Sequence, residues 1–232
     1  MGKVFLLVIL LFIVCEAYLL IYSRGSLGFQ KELEVPRITS DVDKDSDGVD
    51  DYTDIVLSAR SQIGVVTSYD AGYYGNGGFP PDDTGACTDV IWRALGAVGY
   101  DIKSLLERDI RAHPERYDTT RLSDANINFR RTENLRRFFS FYAQELTTDV
   151  EPGNEANLFK WQGGDIVTFE QGIGNLGHIA IVSDKRRPDG VPLLINNHGF
   201  GVVEDDLLLS WPTKISGHFR LKGQAKPTPQ EK

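Results

Sequence analysis

The sequence predicts an α+β domain whose N-terminal helices pack on a mainly antiparallel sheet. Two observations carry this. Apolar residues recur at helical spacing in several runs between Asp54 and Gln144. From Gly164 onward the pattern changes to short β-branched or aromatic runs bounded by turn residues. Helices followed by strands, instead of alternating with them, give segregated layers. Of the 232 residues, about 170 to 180 remain for folding once an apolar N-terminus and polar tails are set aside, which suits one domain.

The N-terminus predicts a membrane encounter. Lys3 precedes an apolar run from Val4 to Tyr22 broken only by Glu16, long enough at about 1.5 Å per residue to cross most of a hydrocarbon core. Small residues at an Ala-x-Ala-like cleavage site are absent, so residues 1–24 read as a signal-anchor, with a signal peptide as the alternative. The expected location is the cell membrane, single-pass, with the domain outside the cytoplasm; the alternative is secretion. Residues 25–40 are polar and aperiodic and read as a linker.

Residues 41–54 hold the sharpest short motif. Asp43, Asp45, Asp47, Asp51 and Asp54 fall at positions 1, 3, 5, 9 and 12 of a calcium loop, Gly48 at position 6, and the carbonyl of Val49 at position 7. Alternating oxygen ligands wrap a hard cation, so a structural Ca2+ is expected as a brace at the domain entrance. The loop departs from the usual pattern in ending on Asp54 where Glu is the rule.

The folded domain is expected over residues 55–222. A helix over Asp54 to Ile63 places Ile55, Val56, Ala59 and Ile63 on one side, with Gly64 closing it. A Gly-, Pro- and Asp-rich loop leads to Cys87, which opens a helix carrying Val90, Ile91, Ala94, Leu95 and Val98. Further helices are expected near Ile102 to Ile110 and, with Thr132 as cap, through Gln144, the latter burying Leu135, Phe138, Phe139 and Tyr142. Strands are expected in Gly164 to Phe169, Gly177 to Asp184, Pro192 to Gly199 and Gly217 to Leu221, with a hairpin over Lys185 to Gly190. Residues 223–232 are mostly polar and read as a disordered tail.

A net charge of -8 argues against a nucleic-acid partner, which needs a basic face. Cys15 lies in the apolar N-terminus, so Cys87 is the single cysteine of the expected domain and cannot form a disulfide within it. A thiol on the first turn of a helix feels the positive end of the macrodipole, which favours thiolate. A thiolate hydrolase also needs a base and a group that orients the base. His178 opens a strand, and Asn196 lies on the next strand, where a hairpin can bring it beside His178; His198 shares that face as the alternative. Asn197 points to the opposite face. His218 reads as a core residue. A zinc site lacks any paired Cys-x-x-Cys or His-x-x-x-His spacing.

The segments Gly85-Ala86-Cys87-Thr88-Asp89-Val90, Asn126-Ile127-Asn128-Phe129-Arg130-Arg131, Gly164-Asp165-Ile166-Val167, Gly177-His178-Ile179-Ala180 and Gly217-His218-Phe219-Arg220 resemble successive blocks of the bacterial family DUF1287, over about Asp54 to Leu221. That family is grouped with the papain-like NlpC/P60 cysteine peptidases, whose members commonly cut peptide or amide bonds in bacterial cell walls. The resemblance implies a papain-like fold, Cys87 as nucleophile, His178 as base, and peptidoglycan or a wall peptide as partner. Asp89 is expected to cap the helix, touch substrate or tune the thiol. Tyr69, Tyr74, Asp82 and Asp83 are expected to wall the cleft, the acidic pair suiting a cationic group of a stem peptide. The function expected is thus a membrane-tethered cysteine hydrolase; the alternatives are a non-catalytic binding module for wall peptides and an acyltransferase using the same Cys-His pair.

Overall fold

The computed structural model describes residues 32–117, 123–172, 177–222 and the backbone of 226–227. The expected signal-anchor and residues 25–31 of the expected linker lie outside these residues. Among the described residues no helix is long and apolar enough to cross a membrane.

From Leu33 on the chain forms one compact unit. A short strand β1 (Ile38–Thr39) precedes α1 (Asp51–Ser61). Asp50 caps that helix by accepting from Tyr52 N at 3.2 Å, and its Oδ1 also takes Ser40 N at 2.7 Å. The helix therefore starts earlier than its apolar periodicity suggested: the capping carboxylate of Asp50 decides the boundary. A parallel pair, β2 (Ser68–Tyr69) and β3 (Thr84–Gly85), brackets the Gly-rich loop. Three helices of equal length follow: α2 (Cys87–Ala97), α3 (Ile102–Ala112) and α4 (Thr132–Tyr142).

Thr132 is the first residue of α4, not its cap, and the helix ends at Tyr142, which is 46% exposed. Residues Ala143–Glu145 leave the helix to form β4, which pairs antiparallel with the last sheet strand. Ladder formation overrides a local sequence that would continue a helix. After a short helix α5 (Glu155–Leu158) come β5 (Ile166–Phe169), β6 (His178–Arg186), β7 (Pro192–Asn197), β8 (Val202–Asp205) and β9 (Ile215–Leu221). They form one sheet in the order β4-β9-β5-β6-β7-β8 with every pair antiparallel. Lys226–Pro227, in the tail expected to be disordered, form β10 and pair with β1.

Side-chain alternation sorts the sheet into two buried faces. Ile166, Ile179, Ile181, Ile195 and Phe219 share a core with Ile55, Val56, Ile91, Leu95 and Phe139 of the helices. Val167, Phe169, Ala180, Val182 and Leu194 meet Leu158, Trp161 and Leu208 on the other side. Covering both faces explains why the central strands read as unbroken apolar runs. His218 sits on the second face, stacked on Trp161 with ring centroids 3.7 Å apart. Its Nε2 contacts Asp165 Oδ2 at 2.9 Å and its Nδ1 the Thr147 carbonyl at 2.8 Å. Arg220 completes this buried cluster through Nε to Asp165 Oδ1 at 2.6 Å.

Candidate active site

The first turn of α2 is held by its own third residue. Asp89 Oδ2 accepts from Ala86 N at 2.6 Å, satisfying a donor that the helix leaves open. Arg130 grips the same carboxylate through Nε and Nη2, both at 2.9 Å, and Trp92 Nε1 adds a bond at 2.7 Å. Arg130 also donates from Nη2 to the Asp70 carbonyl at 2.8 Å and from Nη1 to the Gly72 carbonyl at 2.5 Å. The buried pair thus ties the Cys87 turn to the loop that carries Tyr69. Asp89 is 0% exposed and fully engaged, so the expectation that it touches substrate is corrected: it is an internal brace.

Cys87 is buried and borders a cavity of about 320 Å3. Tyr69, Ala71, Thr88, Arg131, Thr132 and Asn134 are among its other walls. Burial pushes the thiol above its ordinary value, opposed by the N–H groups of Ile179 and Thr88 and by the Thr132 hydroxyl. The helix terminus does not prevail, and the resting sulfur is a thiol where the sequence suggested thiolate. Tyr69 is the one expected cleft residue that lines this cavity. Its phenol is pushed up to about 12 by burial and then by the neighbouring Cys87. Tyr74 instead donates to Asp70 Oδ2 at 2.5 Å, and Asp82 and Asp83 are exposed outside the cavity wall.

His178 begins β6, one residue before the Ile179 N–H that points at the thiol. Its Nε2 lies 3.1 Å from Asn196 Oδ1 on β7. Trp211 stacks on the imidazole with centroids 3.8 Å apart, and Phe169 flanks it at 5.9 Å. Burial pulls the ring down to about 4, against the Asn196 bond, which raises it. His178 is therefore neutral at physiological pH. Among the described residues no hydrogen bond joins the Cys87 thiol to His178; strand β6 brings them close, but the ring is packed with Trp211 and Phe169 of the second sheet face while Cys87 belongs to the helix-side core. His198 does not reach His178; its Nε2 pairs with Asp205 Oδ2 at 2.9 Å. Asn197 points the other way, donating to the carbonyls of Ser68 at 3.0 Å and Gly85 at 2.8 Å. It pins the loop pair to the sheet, a role a single Asn in a strand gave no means of anticipating.

Part of the loop ahead of α1 has the geometry that cation spacing demands. Asp43 Oδ1 and Oδ2 accept from the N–H groups of Asp47 at 3.2 Å and Gly48 at 2.9 Å, and Gly48 takes a φ of +95°. Ligand oxygens of Asp43, Asp45 and Asp47 lie within 4.8 Å of one another. Asp54 Oδ2 is buried with no partner, and burial followed by Asp47 and Asp45 raises its carboxyl to about 6. A buried oxygen without a donor, beside three converging carboxylates, fits a hard cation. Asp51 does not fit: it is 1% exposed, accepts from Lys44 N at 2.8 Å and takes the Tyr100 hydroxyl. The expected position-9 ligand is thus a structural residue, because the helix begins at Asp51 and turns it inward.

Residues 56–221 match the family described as "Domain of unknown function (DUF1287)". The chain is 36% identical over 173 residues to the "Uncharacterized protein YijF" of Escherichia coli (strain K12), covering 72% of this chain and 80% of that protein. No solved structure matches it. A match that spans most of the α+β unit, from the first turns of α1 to the end of β9, makes this chain a member of the DUF1287 family.

Proposed function

We propose that the protein is a cysteine hydrolase of the papain-like NlpC/P60 type that cleaves an amide or peptide bond in cell-wall peptidoglycan. The observation that carries the reading is the placement of Cys87 on a helix N-terminus, facing a cavity, next to the strand start that holds an Asn-oriented, neutral His178. In this reading Nδ1 of His178 takes the thiol proton as sulfur attacks the carbonyl carbon. The C–N bond breaks with return of that proton to the leaving amine, and a water deprotonated by His178 releases the acyl group from sulfur. For the thiol proton to reach Nδ1, the imidazole has to turn from the Trp211 and Phe169 side toward the helix-side core, a movement that substrate binding must drive. The backbone N–H of Cys87 meets the oxyanion at the helix terminus. Ca2+ held by Asp43, Asp45, Asp47 and Asp54 braces the entrance, and residues 1–24 tether the domain to the outer face of a membrane.

The test is incubation of the full-length chain with purified peptidoglycan and its stem peptides, with products read by mass spectrometry. Fragments that vanish in Cys87→Ala and His178→Ala support the reading. Identical fragments from Cys87→Ala, or none from the native chain, overturn it. The raised thiol and the missing Cys87–His178 bond favour a second reading, a module that binds wall peptides without cutting them. It is distinguished by retention on peptidoglycan with no products.

A further inference from the structure

The histidine at the centre of that reading is the inner end of a hydrogen-bonded chain across three neighbouring strands. His178 Nε2 meets Asn196 Oδ1 at 3.1 Å; Asn196 Nδ2 donates to Asp205 Oδ1 at 3.1 Å; and His198 Nε2 meets Asp205 Oδ2 at 2.9 Å. Register places Leu194 opposite Asp205 and Asn196 opposite Val203, so Asn196 and Asp205 are diagonal neighbours on one sheet face. Asn196 is 0% exposed, while the Asp205 and His198 side chains are 29% and 31% exposed.

We infer that Asp205 is a positioning residue that selects the His178 tautomer by fixing which way the Asn196 amide points. An ionised carboxylate only accepts, so it holds Nδ2 on its side and leaves Oδ1 facing His178. The reverse orientation would press Oδ1 against a carboxylate in a buried site. Oδ1 is in turn an acceptor only, so His178 must carry its proton on Nε2 and keep Nδ1 free. His198, donating to the other oxygen of Asp205, holds the carboxylate in place from the solvent side. The assignment of Nδ1 as the base rests on the proposed function; the control of the tautomer does not.

Long-range 1H–15N spectra of the histidine rings in the full-length chain, at neutral pH, read the tautomer directly. The native chain should show His178 as Nε2–H alone. In Asp205→Asn the new amide donates as well as accepts, so both Asn196 orientations become satisfied and the Nε2–H share should fall to about half. Asp205→Ser, which also donates and accepts, gives the same mixture and serves if the Asn variant does not fold. Asp205→Glu, still an acceptor only, should restore Nε2–H. Asp206→Asn removes the same charge one residue along, where the native side chain pairs with Arg187 at 3.3 Å, and should leave the spectrum unchanged. A purely Nε2–H His178 in both Asp205→Asn and Asp205→Ser overturns the inference. The measurement uses no substrate, so a failure to find hydrolysis would count against the proposed function alone.

Discussion

Burial and the helix terminus pull the Cys87 thiol in opposite directions, and the structure lets burial prevail. A sulfur that waits as a thiol reacts with iodoacetamide along a pH profile whose midpoint lies above the ordinary value of about 8.5. A midpoint below neutrality would instead reveal a thiolate–imidazolium pair and contradict the neutral His178 described above. Two residues on, Asp89 shows how a charge in a helix start can be read wrongly as a contact for ligand. Its carboxylate and the Arg130 side chain are both 1% exposed. Arg130→Met should lower unfolding stability by about 3–5 kcal/mol, since it strands a buried carboxylate. Urea unfolding measures this, and a loss under about 1 kcal/mol would mean that water reaches Asp89.

Among the elements, the loop before α1 makes the separable prediction. Calcium added to the full-length chain should raise the unfolding temperature by several degrees, because it binds the folded loop only. Asp45→Asn should abolish that rise. Asp51→Asn should lower the unfolding temperature by a similar amount with or without calcium, because it weakens the Tyr100 and Lys44 contacts of Asp51, which takes no part in the cation site. The two variants differ by six positions in a motif that treats both as ligands, and only the turn into the helix tells them apart. Residue pattern made the loop, the Cys87 helix and strands β5, β6, β7 and β9 legible, through ligand spacing, helical periodicity and β-branched runs bounded by turn residues. It could not show β4, whose strand character comes from β9 alone, or β8, a four-residue edge strand carrying Glu204 and Asp205. Nor could it show that the His178 ring packs among Trp211 and Phe169, a matter of which face the strand start presents.

For the molecule as a whole, the same His178 links the site to stability. Its folded value of about 4 lies below the value of about 6.5 for an unburied ring, so the unfolded chain takes up a proton first. Stability therefore falls as pH drops from about 6.5 toward 4, by on the order of 3 kcal/mol at the lower end. Glu204 acts further down. Burial would raise it, but hydrogen bonds from Arg60, Lys185 and Ser183 bring it to about 2, so its contribution is lost below about 4.5. Asp54 works in the opposite sense, since its raised carboxyl favours the folded chain as pH falls. Comparing the native chain with His178→Asn cancels the last two groups and isolates the first. The stability difference between them, followed by urea unfolding, should shift against the native chain between pH 6.5 and 4 and stay flat above pH 7. A difference flat across the acid window would mean that water reaches the imidazole and that burial does not lower it.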